Sequence, residues 1–338
     1  MKALVLHGKN GDYKYEPNWK MPEVQPGWAI VKVAYSGICG SDLPRYASAG
    51  SYHHPVILGH EFSGYVHETT SDSNFKTGDR VAVLPIIPCE KCYWCKKGEA
   101  FHCDWYQFIG SRNDGGHAEY CAVPESNLFL LPDNIDIAEG SLVEPLLVAL
   151  NTVRRSGFTP GKSAIVFGAG PIGMLVACWL RVFGATRVVV SDLRQFSLDI
   201  AKDCGFDDIY NPFSDSPDGF KDFDYAFEAA GSGKALQTAV DMLKIKGVLT
   251  IVGRDVNDTV IPVKTFETLM RKEVTLNGCW GYHIDGEKDF LYQTMKNNLI
   301  PSKKLITHKV TIEESAEMID RIIEKKLDYC KVVLDFTN

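Results

Sequence analysis

No stretch of this 338-residue chain approaches the roughly 18–20 consecutive apolar residues of a membrane-spanning helix, so none is expected. Basic clusters are equally scarce: no run of Lys and Arg exceeds two or three residues, and the net charge is −7. That balance favours solubility and excludes a nucleic-acid-binding or anionic-membrane surface as the main business of the chain. A signal peptide is also missing, because the apolar run Ala3–Leu6 is short and no small-residue cleavage site follows it. Internal repeats, low-complexity segments and long linkers are absent too. A cytoplasmic protein with no membrane or nucleic-acid partner is expected. With 45% hydrophobic and 23% charged residues, the composition is that of a soluble globular protein, long enough for two domains.

Cysteine is the exception to this ordinary composition. There are ten, and four of them fall in Cys89-x2-Cys92-x2-Cys95-x7-Cys103. Without a secretory signal such a cluster reads as metal ligands and not disulfides. Four thiolates with no vacant position describe a closed structural zinc site that fixes a lobe too short for its own core; an iron–sulfur cluster is the rival. Cys121, Cys178, Cys204, Cys279 and Cys330 have no ligand spacing and read as small buried hydrophobes.

A second constellation lies upstream, in Gly37-Ile38-Cys39-Gly40-Ser41-Asp42 and Leu58-Gly59-His60-Glu61-Phe62-Ser63-Gly64. Cys39, His60 and Glu61 supply S, N and O donors, three protein ligands that leave a fourth position open, as in catalytic zinc sites. A buried Cys and a core His are the alternative. Glu144-Pro145 interrupts the apolar run Leu142–Leu150, where a carboxylate needs a partner or a metal; a carboxylate facing a helix N-terminus would also suit it.

The rhythm of the chain changes along its length. Up to about residue 150, short alternating bursts (Ala3–Leu6, Ala29–Tyr35, Gly64–His67, Arg80–Leu84, Ala118–Val123, Leu128–Leu131) are divided by turn-formers and predict a β-rich domain. From residue 151 to 280, strands at Lys162–Phe167, Arg187–Ser191, Tyr225–Glu228, Val248–Val252 and Val274–Cys279 alternate with helices. They predict an α/β domain with a doubly wound parallel sheet. Residues 281–338 carry helices near Asp289–Lys296 and Ser315–Glu324 and a last strand, Lys331–Phe336.

Gly168-x-Gly170-Pro171-Ile172-Gly173 follows the first of those strands and opens a helix, and Asp192 ends the second strand. This is the context a dinucleotide fingerprint requires. The glycines permit a tight turn and close approach of the pyrophosphate, and the helix N-terminus supplies amides and dipole. Asp192 would accept hydrogen bonds from the adenosine ribose and repel a 2′-phosphate, which favours NAD over NADP. Arg194, two residues on, could soften that preference or simply be a surface residue at a helix start. Gly253, just after the strand Val248–Val252, joins this cofactor-binding set.

Taken together, these motifs resemble the zinc-dependent medium-chain dehydrogenases of the sorbitol and threonine dehydrogenase branch. Asp114-Gly115-Gly116-His117-Ala118-Glu119-Tyr120 adds to the match, which covers essentially the whole length. Shorter stretches, Ser41–Arg45, Phe108–Arg112, Arg271–Glu273 and Gly278–Trp280, resemble galactitol-1-phosphate 5-dehydrogenases. The resemblance implies a Rossmann domain at 151–280 and a GroES-like catalytic domain at 1–150, carrying the zinc lobe 89–103 and completed by 281–338. It implies two zinc ions per subunit. The catalytic one would sit on Cys39 and His60 with Glu61 or Glu144, the structural one on the four clustered cysteines. Zinc would hold the substrate oxygen and lower the alcohol pKa, and hydride would pass to NAD. Ser41 would start the proton relay and Asp42 would orient a ligand. Pro44 stands where many relatives carry a histidine, so the resemblance assigns no group to the later relay steps.

The function expected is NAD-linked oxidation of a secondary alcohol on a small-molecule polyol or polyol phosphate, by a homodimer or homotetramer. Sorbitol, threonine or simple alcohol oxidation is the alternative, and a non-catalytic crystallin-like relative is the reading from outside enzymes. A phosphorylated substrate needs cationic or N–H donors at the far end of the pocket. Arg45 and Arg112 are the candidates, and surface ion pairing is their other possible role. His53 and His54 read as solvated loop residues, and His117 as packing.

Overall fold

Short alternating segments cannot bury both faces alone, so they pair, and the ten-residue strand Trp28–Gly37 is the one the others gather around. In the computed structural model, which describes residues 1–70, 72–254, 258–283 and 286–337, that strand pairs antiparallel with Glu61–Thr69 along its length. Its first half also pairs with Tyr120–Pro124, and its last three residues with Lys331–Asp335. The sheet runs in the order Leu128–Leu130, Arg80–Val83, Glu61–Thr69, Trp28–Gly37, Lys331–Asp335, Ile306–Thr311. The central strand is buried at nearly every position. One core gathers Val31, Val33, Phe62, Val81, Val83 and Val123. Another gathers Leu4, Leu6, Tyr46, Leu58, Ile319 and Leu334. Each such side chain contributes about 1.5–3 kcal/mol on burial. The two main strands approach so closely that a Cβ on Gly64 would stand 2.0 Å from the Lys32 carbonyl oxygen, which only glycine avoids.

These elements belong to a unit made of Met1–Glu144, His283–Asn297 and Ile306–Asn338; Pro145–Tyr282 and Asn298–Leu305 form a second. The second unit is built on six parallel strands in the order Ile209–Tyr210, Arg187–Ser191, Ser163–Phe167, Phe223–Glu228, Leu243–Ile251, Thr275–Gly278. Counted along the chain that is 3-2-1-4-5-6, the Rossmann order, whose direction reverses between Ser163–Phe167 and Phe223–Glu228. Near-continuous apolar runs suit strands covered on both faces by the helices Pro171–Val182, Gln195–Asp203, Gly233–Met242 and Val263–Lys272.

Several elements lie outside the segments read from the sequence, among them the short strands Tyr13–Glu16, Val56–Ile57, Ile86–Ile87 and Gln107–Phe108, and the helix Val143–Arg155 was anticipated only as one possible setting for Glu144. Val143–Arg155 is a helix whose first half is buried almost all round, so it lacks the polar–apolar contrast of a surface helix. Ile306–Thr311 is a half-buried, polar strand, and Ile209–Tyr210 is only two residues long. The fifth parallel strand also begins earlier than its apolar run, at Leu243, through the exposed Lys244–Lys246 and a register shift.

Candidate active site

Chain geometry brings the Cys39 and His60 motifs together at one end of the central pair of strands. Gly37 stands opposite Glu61 in register, so the chain leaves one strand toward Cys39 where the other begins after His60. A Cβ on Gly37 would stand 2.6 Å from Glu61 Oε2, so the glycine makes room for that carboxylate. One ligand atom each from Cys39, His60 and Glu61 lies within 4.8 Å of the others. Thiol, imidazole and carboxylate at that mutual distance suit a zinc ion with a position left open.

Each member of the cluster has a fixed partner. Asp42, buried, lies 3.3 Å from His60 Nδ1 and accepts the Cys39 backbone N–H at 3.3 Å. This orients the ring and leaves Nε2 as the nitrogen that Asp42 does not engage. Burial opposes ionisation of both groups, yet their mutual attraction holds the Asp42 carboxyl low and the His60 imidazole well above its ordinary value. The Ser41 hydroxyl donates to Cys39 Sγ at 3.3 Å, and the Ser41 backbone N–H at 3.5 Å. Phe108 stands against the His60 ring, with centroids 5.5 Å apart.

Glu144 is the second residue of the helix Val143–Arg155 and is buried, but it is not one of the three clustered donors. It stands in the first turn of that helix, where a carboxylate faces the positive end of the helix dipole. Burial pushes its carboxyl up to about 7; His60 and Lys331 pull it down, while Glu61 and Asp42 raise it further.

Lys331 is the residue that sequence reasoning missed. It is 3% exposed, and its Nζ donates to Glu61 Oε2 at 2.5 Å and to the Ile38 carbonyl at 3.3 Å. Burial works against its charge, but Glu61 and Cys39 hold its pKa above the usual lysine value. The only signal in the sequence is a lysine opening the apolar strand Lys331–Asp335, comparable to the glutamate in the Leu142–Leu150 run.

The four clustered cysteines converge as well, with ligand sulfurs all within 4.8 Å. Cys92 and Cys95 Sγ are 3.4 Å apart, and Cys89 and Cys95 Sγ 3.9 Å. Sulfurs on a tetrahedron around zinc at about 2.3 Å stand about 3.8 Å from one another, so the lobe matches a tetrathiolate site. The Cys95 backbone N–H draws the Cys92 thiol down to about 6, while burial and its sulfur neighbours push Cys95 up to about 12. All ten cysteines are free.

In the second unit, Gly168 has φ +97° and Gly170 caps the helix Pro171–Val182, with Pro171 in its first turn. A Cβ on Gly173 would stand 1.8 Å from the Gly168 carbonyl oxygen, whereas one on Gly170 would meet nothing within 4 Å. Helix and strand thus press together on one side of the turn, and the other side is open for a phosphate to approach the backbone. Ile172 is in the first helical turn. Asp192 accepts the Ala169 N–H at 2.8 Å and the Arg194 N–H at 2.8 Å, and the Arg194 side chain lies 3.7 Å from the same carboxylate. Gly253 donates to the Glu228 carbonyl at 2.9 Å, at the carboxyl end of the neighbouring strand.

Arg45 and Arg112 meet on one tyrosine. Their guanidinium carbons lie 5.2 and 4.1 Å from the Tyr52 ring, and Arg112 is also 4.4 Å from Tyr106. Both tyrosines escaped the sequence reading, since isolated aromatics carry no spacing signal. His53 is exposed and bonds the Arg112 carbonyl, and half-buried His54 accepts from the Ser51 N–H.

Comparison with known proteins gives this geometry a lineage. Residues 25–133 match the alcohol dehydrogenase GroES-like domain, and residues 171–299 match the zinc-binding dehydrogenase family. Galactitol 1-phosphate 5-dehydrogenase of Escherichia coli K12 is 34% identical over 86% of this chain and 87% of its own length. The chain belongs to the zinc-binding dehydrogenases. Sorbitol dehydrogenase of Bacillus subtilis is 30% identical over 99% of this chain and 97% of its own. The crystal structure of galactitol-1-phosphate dehydrogenase from Escherichia coli superposes with a TM-score of 0.91 at 31% identity, covering 99% of this chain and 100% of that one. This zinc-binding dehydrogenase is therefore an oxidoreductase of the polyol and alcohol dehydrogenase type, with a GroES-like domain and a Rossmann sheet. It acts on a small molecule, and zinc and a nicotinamide dinucleotide are its cofactors. Among the described residues no helix is long and apolar enough to cross a membrane.

The buried Lys331–Glu61 pair makes a direct prediction. Lys331→Met leaves a carboxylate buried without its counter-charge and should cost about 3–5 kcal/mol in denaturant unfolding. Adding Glu61→Gln should recover most of that loss. A single variant within about 1 kcal/mol of the parent would show that the pair does not hold the site together.

Proposed function

We propose that the enzyme oxidises a secondary alcohol of a phosphorylated polyol, galactitol-1-phosphate-like, to the ketose with NAD. The observation that carries this reading is the wall of side chains leading away from His60. Phe108 stands on the His60 ring, Tyr106 on Phe108 at 6.5 Å, and Arg112 lies against both Tyr106 and Tyr52, with Arg45 on Tyr52 as well. A reacting hydroxyl at His60 would thus have two guanidiniums further along the same wall. Among the described residues neither arginine has a carboxylate ion-pair partner, and Arg112 Nε is buried without a hydrogen bond. The surface ion-pair role is therefore not the one supported. Although burial opposes it, the two guanidiniums hold the Tyr52 phenol below its usual pKa, as a positive potential would. Such a potential on a planar fork suits a phosphate dianion.

In this reading Cys39, His60 and a carboxylate, Glu61 or Glu144, hold the catalytic zinc, and Cys89, Cys92, Cys95 and Cys103 hold a structural one. When bound, zinc supplies Lewis acidity to the substrate oxygen and the nicotinamide supplies a hydride acceptor. The protein's own part is positional. Asp42 fixes the His60 ring. Ser41, with its proton directed at Cys39 Sγ, turns its lone pairs away and can accept a hydrogen bond from the substrate alcohol. Gly168, Gly170, Pro171, Ile172 and Gly173 form the pyrophosphate turn, Gly253 lines the neighbouring strand end, and Asp192 selects NAD, with Arg194 beside it. Ten free cysteines suit a reducing, cytoplasmic setting. The sheet ends at Thr275–Gly278, with Leu276 47% exposed, and the nearby helix exposes Phe266 and Met270. An edge strand flanked by apolar side chains supports assembly as a homodimer or homotetramer.

Three measurements test the reading. Galactitol 1-phosphate should show a higher kcat/KM than galactitol, and Arg112→Ala should cost the phosphorylated substrate about 1.5–3 kcal/mol while sparing the free polyol. A preference for sorbitol-like polyols that ignores Arg112 would favour plain polyol oxidation. Asp192→Ser should narrow the NAD–NADP gap by weakening NAD and relieving repulsion of NADP; a parent enzyme using both equally contradicts the assignment. Mass photometry should give a dimer or tetramer, and a monomer would remove the oligomer reading.

A further inference from the structure

Among the buried groups that the reaction leaves unused, His117 has the most structure built around it. Its position in Gly115-Gly116-His117-Ala118 reads as simple packing, and it is fully buried. Yet every polar atom of the residue is engaged. Its backbone N–H donates to the Leu58 carbonyl at 3.0 Å, and its carbonyl accepts from Leu4 N–H at 2.9 Å. In the ring, Nε2 lies 3.3 Å from the Gly37 carbonyl and Nδ1 2.8 Å from the Tyr46 hydroxyl. A carbonyl only accepts, so Nε2 carries the proton; in a neutral ring Nδ1 then accepts from Tyr46. Burial, which holds this imidazole below its ordinary pKa, keeps the ring in that form. The ring also fills the space beside Gly59: a Cβ there would stand 2.3 Å from His117 Cδ2.

The three segments that meet at this ring are those that present the metal donors. Gly37 is two residues before Cys39, and Gly59 directly precedes His60. Tyr46 belongs to the helical turn that Asp42 begins, since its backbone N–H bonds the Asp42 carbonyl at 3.0 Å. We propose that His117 is a positioning residue for the metal site, a neutral imidazole that sets the spacing between the Cys39 loop, the Asp42 turn and the His60 strand end. It touches neither ligand nor substrate. A phenylalanine would keep a somewhat larger aromatic ring there and leave the Gly37 carbonyl and the Tyr46 hydroxyl without their shared partner. The role therefore lies in the hydrogen bonds and not in the ring's bulk.

The inference rests on reading Cys39 and His60 as zinc ligands, and the tetrathiolate lobe provides an internal reference. Zinc release from the holoenzyme to a chromogenic chelator should be followed in parent, His117→Phe, Tyr46→Phe and double variants, with His60→Ala identifying the phase that belongs to the catalytic site. His117→Phe should speed that phase about tenfold and leave the lobe's phase unchanged. Tyr46→Phe should speed it about threefold. The double variant should be no faster than His117→Phe, because the tyrosine acts through the imidazole. Unchanged release, equal acceleration of both phases, or additive effects would overturn the proposal. Should His117→Phe prove insoluble, Tyr46→Phe decides alone: selective acceleration supports the role and parent-like release rejects it. A parent that holds zinc only in the lobe would bring down the metal reading itself. A parent with both zincs and an indifferent His117 would bring down only this inference.

Discussion

Burying charge is the constraint on which the first unit depends. Asp42, His60, Glu61, Glu144 and Lys331 are each no more than 8% exposed, in a region bordered by strands whose side chains are otherwise apolar. An isolated ion there would cost several kcal/mol. The fold meets this by opposing charges in pairs, Asp42 to His60 and Lys331 to Glu61, with backbone groups taking up remaining donors and acceptors. Glu144 is the exception, and burial raises its carboxyl above the ordinary range.

That balance explains why the C-terminal strand returns to the first unit. Lys331 can reach Glu61 only because Lys331–Asp335 pairs with the end of the same strand whose Gly37 faces Glu61. The hydrogen bond spans 270 residues of sequence. Removing this strand would take away a sheet neighbour and the counter-charge of a candidate ligand together. Stability and site geometry are coupled there through two adjacent pairings.

What could be read from the sequence follows from how local each requirement is. The tetrathiolate lobe and the glycine turn are set by constraints within about twenty residues, so spacing alone exposes them. The doubly wound parallel class followed from strands alternating with helices, and the sheet bears out that class, while its strand order emerges only in the fold. Lys331, the stacking of Arg112 on Tyr52 and Tyr106, and the hydrogen bonds of His117 arise from contacts between distant segments. No period or motif encodes them. The helix Val143–Arg155 showed itself only as one possible setting for Glu144, because burial of its first half leaves little polar face to reveal it.

The same locality argument bears on substrate choice. The candidate metal donors lie on strand ends and tight turns beside glycines whose added Cβ would meet close neighbours, as at Gly37, Gly59 and Gly64. A side chain at such positions would have to displace its neighbours. Arg45, Tyr52 and Arg112 sit instead on loop and turn segments, with Tyr52 58% exposed and few packing demands upon it. A wall of this kind can exchange its cations for neutral hydrogen-bonding groups while His60 and Phe108 stay in place. The chemistry at one end would then be unaltered while the molecule accepted at the other changed. That division fits relatives at 30–34% identity that bear the names of both a phosphorylated and a free polyol. It also places specificity where sequence identity at that level says least, and two guanidiniums on one ring say more.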